Sequence, residues 1–248
     1  MLKIIKTRIK QGYQTLDFPP TKKMPERFRG LPVINPNGCG NGCNLCREAC
    51  PVGAITTSPL TLDLGKCIFC EECVAVCPSE AITYSQNLST SALNREDLVL
   101  KGQNFRFAKT TNVKIKKIFG RSLKLRVVTA GSCNGCDLEI NASNNIQFDI
   151  SRFGINYVAS PRHADGLIVT GAVSENMKLA LEKTYNALCS PKIVIALGSC
   201  AISGGPFKGS QEVHNGASSI IPVDLFVAGC PPHPMTIIDA IVRLLEKI

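Results

Sequence analysis

LKLRVVTAGSCNGCDLEI, residues Leu123 to Ile140, runs from an apolar, β-branched stretch into a glycine-flanked Cys-x-x-Cys pair, Cys133 and Cys136. LKLRVVTA (123–130) reads as a strand apolar enough to be buried on both faces, as parallel strands are. The pair at its end is ambiguous by itself. Cys-x-x-Cys serves redox disulfides, half of a zinc site or half of an iron–sulfur site.

Working outward, the same texture recurs in INYVA (155–159), GLIVTG (166–171), KIVIALG (192–198) and VDLFVAG (223–229). Between these candidate strands, residues 174–188 carry helical periodicity. Ser174 is placed to cap that helix, Glu175 suits its first turn, and Met177, Leu181, Tyr185 and Leu188 share a face. A last helix over about 235–247 sets Ile237, Ile238, Ile241, Leu244, Leu245 and Ile248 on one side. Strand alternating with helix predicts an α/β doubly wound, flavodoxin-like parallel sheet.

The chain has 248 residues, 44% of them apolar, which suits one large or two smaller domains. It has no apolar run of about 18 residues that would make a membrane span. MLKIIKTRIK interleaves cations with Leu and Ile and lacks the uninterrupted apolar region of a secretory signal. A cytoplasmic, reducing location is expected, where thirteen cysteines point to metal ligation rather than disulfides.

Eight cysteines lie between Cys39 and Cys77 and form an internal repeat. CPVGAIT (Cys50–Thr56) recurs as CPSEAIT (Cys77–Thr83) at an offset of 27, which Cys43/Cys70 and Cys46/Cys73 share. Such short copies cannot bury a core alone and need each other or a metal. Cys67-x2-Cys70-x2-Cys73-x3-Cys77-Pro78 has the spacing of a two-cluster bacterial ferredoxin. In that pattern three thiolates wrap one cluster and the fourth crosses to its neighbour. The expected ligand sets are Cys39, Cys43, Cys46 and Cys77 for one [4Fe-4S] cluster, and Cys67, Cys70, Cys73 and Cys50 for the other. One departure is that the first copy opens Cys39-x3-Cys43, where Gly38, Gly40 and Gly42 allow the loop to bulge. The expected architecture is therefore an α+β two-cluster ferredoxin-like domain with a basic linker over 1–110, followed by the α/β domain over 111–248. SQNLSTSALNREDLVLKGQNFRFAKTTNVKIKK (85–117) reads as the connecting segment.

Cys133, Cys136, Cys200 and Cys230 each follow a predicted strand, and Gly131, Gly135, Gly198 and Gly229 stand beside them. Ligands gather at the carboxyl ends of parallel strands, at the switch point of the sheet. Four converging thiolates suit either a third [4Fe-4S] cluster or a tetrahedral zinc. A lone redox disulfide would leave Cys200 and Cys230 without a role. The neighbouring ferredoxin-like cysteines favour the cluster, because electrons on two clusters need an exit.

GSCNGCDLEI, SPRHADGLIVTG (Ser160–Gly171), GSCAISGGPF (Gly198–Phe207) and AGCPPHP (Ala228–Pro234) resemble the small subunit of group 4 membrane-bound energy-converting [NiFe] hydrogenases. That family is related to the 20 kDa subunit of respiratory complex I. The resemblance covers roughly residues 120–245. The N-terminal part, with RFRGLP before its cysteines, resembles the separate ferredoxin-like subunit of such complexes, so the chain looks like a fusion of two subunits. The resemblance implies that Cys133, Cys136, Cys200 and Cys230 hold a proximal [4Fe-4S] cluster, the third in the chain. It also implies a [NiFe] large-subunit partner, membrane subunits, ferredoxin or another redox donor, and a place at the cytoplasmic face of a membrane. Complex I relatives carry adjacent cysteines where this chain has Cys133-Asn-Gly-Cys136, which places it on the hydrogenase side. Related sulfur- or quinone-reducing complexes remain open.

Twelve cysteines are thereby assigned and only Cys189 is left, so a [NiFe] centre, which needs four, belongs to a partner. Cys189 is expected to be a buried structural thiol. His163 suits a cluster sulfide or a subunit interface as well as a loop bonded to backbone, and His233 suits support of the Cys230 loop. His214 carries no signal. Asp137 and Glu139 suit proton movement near the cluster, though capping or ion pairs explain them as well.

The formal charge is +9, with nine cations and no acid over 101–126 and eight cations against two acids over 1–30. No nucleic-acid motif accompanies this basicity, and a protein partner or anionic lipid headgroups fit better. Twelve thiolates and three +2 cluster cores would reduce the charge to +3, further weakening a nucleic-acid role.

Overall fold

The computed structural model of the chain describes residues 2–21, 23–40, 42–102, 105 and 117–247. Helix α1 (Leu2–Gln11) buries none of its side chains. The cysteine-rich half then supplies β1 (Pro32–Ile34), α2 (Leu45–Ala49), β2 (Ile55–Thr57), β3 (Leu60–Asp63), α3 (Glu72–Ala75), β4 (Ile82–Tyr84), β5 (Ser91–Ala92) and β6 (Val99–Lys101). The two repeat copies end in different sheets. Ile55 of the first opens β2, which pairs antiparallel with β3, and β3 in turn pairs with β6. Ile82 of the second opens β4, which pairs antiparallel with β1.

The second half contains β7 (Leu123–Thr129), α4 (Gly135–Ser143), β8 (Ile155–Tyr157), β9 (Gly166–Thr170), α5 (Glu175–Ala187), β10 (Ile193–Leu197), α6 (Ser199–Ser203), β11 (Leu225–Val227) and α7 (Pro234–Leu244). Each predicted strand is present, trimmed at its ends. The sheet order is β5-β11-β10-β9-β7-β8. Its five parallel strands, numbered along the chain, run 2-1-3-4-5, the doubly wound order with a switch point beside the first strand. β9 and β10 are buried along their whole length, as the apolar runs demand, while β7 and β8, towards the sheet's edge, alternate.

Alternation along the strands divides the core between two faces. Ile168, Ile193, Ile195 and Leu197 face α7 and Ile140 of α4. Leu167, Val169, Val194 and Ala196 face Leu181 of α5 and belong to one cluster with Ile34, Leu62 and Ile82 of the first half. Each such side chain contributes roughly 1.5–3 kcal/mol by leaving water. Helix α5 buries Leu181, while Ser174 precedes it without a side-chain cap. Helix α7 is buried on nearly every side rather than on one, and Phe18, Met24 and Phe28 of the N-terminal strap pack against the core cluster to which it belongs.

The segment read as a connection, 85–117, is built into the fold over its first part. β5 joins the main sheet as an antiparallel edge, with Ala92 opposite Phe226. The Thr90 hydroxyl donates to the Ala228 carbonyl at 2.7 Å, which lets this polar stretch be buried. Leu98 and Leu100 enter the core. The domain boundary expected at 110/111 lies outside the described residues.

The two halves meet at a close backbone approach. A Cβ at Gly65 would stand 2.6 Å from Arg95 Cζ and 2.8 Å from Ile202 Cγ2, so only glycine fits without displacement. Ser203 donates to the Gly65 carbonyl at 2.7 Å and Ser199 to the Cys67 carbonyl at 2.5 Å. Helix α6 is thus bolted to the cysteine loop of the first half.

Candidate iron–sulfur centres

The eight N-terminal cysteines separate into two groups that exchange one member each. Cys46, buried on α2, has its thiol pushed up by burial and then by the charges of Cys39, Cys77 and Cys43. Cys39 therefore stands with the other three despite its longer spacing. Cys73, buried on α3, is pushed up to about 12 by burial and by Cys67, Cys70 and Cys50. Cys67 rises to about 11 through burial, although the Phe69 N–H and the Tyr84 hydroxyl oppose the shift. A weaker interaction between Cys73 and Cys46 links the two groups.

Backbone amides are aimed at these sulfurs. Ala54 N–H donates to Cys50 Sγ at 3.2 Å, Phe69 N–H to Cys67 Sγ at 3.3 Å, and Ala81 N–H to Cys77 Sγ at 3.3 Å. At half-exposed Cys77, burial raises the pKa but the Ala81, Ser79 and Ile82 amides and the Ser79 hydroxyl outweigh it, and the net shift is downward. Phe69 and Glu71 both hold positive φ, at 55° and 69°, where non-glycine residues are uncommon. Arg29 of RFRGLP holds this strained loop, donating to the Phe69 carbonyl at 2.7 Å and pairing with Glu71 at 2.9 Å. Such strained positions cluster at functional sites, and this loop carries Cys67, Cys70 and Cys73.

Cys133, Cys136, Cys200 and Cys230 also converge. Cys136, at the start of α4, is pushed up to about 12 by burial, then by Cys200, Cys230 and Cys133. Cys200, on α6, reaches about 11 through burial and the charges of Cys230 and Cys133. Two glycines leave room for the sulfurs. A Cβ at Gly198 would lie 2.5 Å from Cys136 Sγ, and one at Gly205 would lie 2.8 Å from Cys200 Sγ. Cys133 and Cys230 are exposed, so the group opens at the surface. Cys230 also feels Cys70, which places this third group beside the second.

The donor chemistry fits iron–sulfur clusters. Every group is all-thiolate, and amide N–H bonds to cysteine sulfur are the outer contacts such clusters use. Among the described residues no three His, Cys, Asp or Glu side chains stand close enough to share one ion.

Around the third group, His233 precedes α7, and its Nδ1 accepts from Met235 N–H at 3.2 Å. Its ring meets Phe28 and Phe148 edge-on, and burial lowers its pKa. It acts as a helix cap wedged between aromatics. His163 is exposed on a 3-10 turn, and His214 pairs with Glu175 at 2.5 Å. Asp137 Oδ1 accepts from Thr129 and Thr170 at 2.8 and 3.0 Å, while Oδ2 is buried without a hydrogen-bond partner. Glu139 lines a 270 Å³ cleft with Arg27, Phe28, Arg29, Cys230 and His233, and burial raises its pKa. Cys189 corrects an expectation, being exposed rather than buried. Leu188 turns into the core where α5 ends, leaving Cys189 facing outward. Sequence reasoning missed Tyr84, Ser199 and Ser203. Tyr84 was discoverable as the aromatic residue that closes the second repeat copy, where the first has Thr57.

Residues 133–244 match the family of the NADH ubiquinone oxidoreductase 20 Kd subunit, and residues 60–83 match the 4Fe-4S binding domain. The probable membrane-bound hydrogenase subunit mbhJ of Pyrococcus furiosus is 46% identical over 132 residues, 53% of this chain and 79% of that protein. The chain belongs to the 20 kDa subunit family. It is thus a member of an oxidoreductase subunit family, and its own N-terminal half adds a match to the 4Fe-4S binding domain. An NADH-quinone oxidoreductase subunit of Phocaeicola vulgatus is 42% identical over 52% of this chain and 66% of that protein. The solved membrane-bound sulfane sulfur reductase, an archaeal respiratory membrane complex, contains a chain of 32% identity. The match covers 54% of this chain and 73% of that one, with a TM-score of 0.47. No described helix is long and apolar enough to cross a membrane.

Proposed function

We propose that this chain is the electron-transfer subunit of a membrane-bound [NiFe] hydrogenase complex. Cys39, Cys43, Cys46 and Cys77 would hold one [4Fe-4S] cluster, Cys67, Cys70, Cys73 and Cys50 a second, and Cys133, Cys136, Cys200 and Cys230 a third. Such clusters supply one-electron storage and transfer, carrying electrons from ferredoxin or another redox subunit to the [NiFe] site of a large-subunit partner. One observation carries this reading: the three cysteine groups are near neighbours in succession, Cys73 of the second feeling Cys46 of the first and Cys230 of the third feeling Cys70 of the second, and Cys133 of the third is exposed.

The chain's own residues do three things for such a relay. Buried thiols raised to about 11 or 12 favour protonation until a cluster displaces the protons, so cluster binding is coupled to proton release. Amide N–H groups stabilise charge on the sulfurs. Ser199 and Ser203 fix the loop of the second group against α6, which carries Cys200. Membrane subunits and a position at the cytoplasmic face complete the assignment, supported by a relative named as a probable membrane-bound hydrogenase subunit.

The NADH-quinone relative, at 42% identity, favours a second reading, the equivalent subunit of a complex I-like quinone- or sulfur-reducing assembly. Metal analysis of the complex purified through a tag on this chain separates the two. The hydrogenase reading expects nickel in about one-to-one ratio with this chain, as a single catalytic centre requires. A complex with iron and no nickel would establish the second reading instead.

The Tyr84 hydroxyl stands 3.7 Å from Cys67 Sγ, half-buried beside Phe69. Burial pushes its pKa upward, so it remains a protonated donor. Hydrogen bonds to cluster sulfurs raise the reduction potential. Tyr84→Phe is therefore expected to lower the potential of the second centre alone, read by EPR-monitored redox titration. An equal shift of all three signals would contradict a local role for Tyr84.

A further inference from the structure

Helix α1 presents apolar side chains that nothing among the described residues covers. Leu2, Ile4, Ile5 and Ile9 are 75%, 74%, 51% and 76% exposed, and none of the ten residues is buried. At the α-helical pitch, Leu2, Ile5 and Ile9 fall within an arc of about 60°. Lys3, Lys6 and Lys10 border that stripe on one side and Arg8 on the other, and the helix contains no acid. Ile4 alone lies outside the stripe. Arg8 also closes the helix end by donating to the Gly12 carbonyl.

A ten-residue helix without tertiary contacts is marginal in water. Its apolar stripe needs a covering surface, and its four cations select a negative one. A second copy of α1 would bring like charges together. The apolar surface continues through Tyr13, 78% exposed, and Leu16, 42% exposed. There the strap is fastened to the body: Leu16 N–H donates to the Gln147 carbonyl at 2.8 Å, and the Thr15 hydroxyl to the Ile146 carbonyl at 2.9 Å. Ile146 beside it is 65% exposed.

We propose that α1 lies in the plane of an anionic lipid surface, with Leu2, Ile5 and Ile9 immersed among the acyl chains and Lys3, Lys6 and Lys10 at the headgroups. Aliphatic residues flanked by long cationic side chains suit this boundary, because lysine stems follow the apolar layer while the ammonium stays in water. The Thr15 and Leu16 bonds then fix the body relative to the lipid. This reading stands independently of the hydrogenase assignment, since it uses no cysteine and no metal.

The test is co-sedimentation of the cluster-loaded full chain with vesicles of phosphatidylcholine alone, or of phosphatidylcholine with about a third phosphatidylglycerol. Binding to the anionic vesicles is expected, falling as salt rises, with little binding to the neutral ones. The triple variant Lys3→Glu, Lys6→Glu, Lys10→Glu and the double variant Ile5→Asp, Ile9→Asp should each lower the bound fraction at least about tenfold. Lys183→Glu with Lys208→Glu, on exposed positions elsewhere, should leave it unchanged. Because α1 buries nothing, the variants should keep the visible absorbance of the parent. Binding to neither vesicle would overturn the proposal in favour of an acidic protein surface. Equal binding to both, or equal loss in the Lys183/Lys208 control, would also overturn it.

Discussion

Replacing Cys136 by serine is expected to remove one of three clusters and leave the other two in place. Cys136 is the most strongly shifted thiol of the third group, surrounded by Cys200, Cys230 and Cys133. Thiolate is the ligand that iron–sulfur clusters require, and a serine hydroxyl hardly ionises in its place. On the proposed assignment, iron in the isolated chain should fall from about twelve to about eight per polypeptide. The EPR signals of the two N-terminal centres should persist. Turnover of the assembled complex should drop by about 100-fold or more, the scale on which damaged metal sites lose function. Retention of all the iron, or loss of all of it, would defeat the assignment of Cys136 to a separate third centre.

Gly198→Ala is expected to damage the same centre without touching a ligand. Gly198 holds φ 86° and ψ 157°, a region essentially restricted to glycine, and alanine there costs about 1–3 kcal/mol in backbone strain. Its Cβ would also stand 2.5 Å from Cys136 Sγ, so the sulfur must move. The variant should bind less iron in the third group, with the other two unaffected. Gly209→Ala is the matched control: Gly209 has φ 84°, but nothing lies within 4 Å of its added Cβ. If both variants lose the same iron, strain rather than collision with the sulfur is responsible.

The cysteine grouping was legible because it is written in short-range spacing and in strand ends. The exchange of Cys50 and Cys77 between N-terminal groups follows from the duplicated spacing alone. The meeting of Cys136 with Cys200 and Cys230 follows from reading three buried strands as parallel neighbours. What escaped depends on contacts between distant segments. β5 hid in a polar run because what holds it lies far along the chain: Ala92 pairs with Phe226, and the Thr90 hydroxyl just before the strand donates to Ala228. Helix α4 was unread because its pattern is weak: it buries Ile140 and Ser143 and exposes Leu138. Helix α7 looked one-sided because nothing local announces that Phe18, Met24 and Phe28 will join the cluster it belongs to. Cys189 was misplaced for a related reason, since a single residue past a helix end can turn either way. Tyr84 and the two serines of α6 act across 17 to 138 residues of sequence, beyond any local pattern.

On the proposed assignment, the junction at Cys70 and Cys230 gives the molecule the character of a series circuit. Stores connected end to end share one current, and the step with the poorest coupling sets it for all. Improving the cluster at the other end would therefore leave throughput unchanged while this joint is limiting. The serine bonds from α6 to the Cys67 and Gly65 carbonyls fall at that joint. Two neutral hydroxyls, chemically inert towards electrons, thereby hold the spacing on which the whole conductor depends.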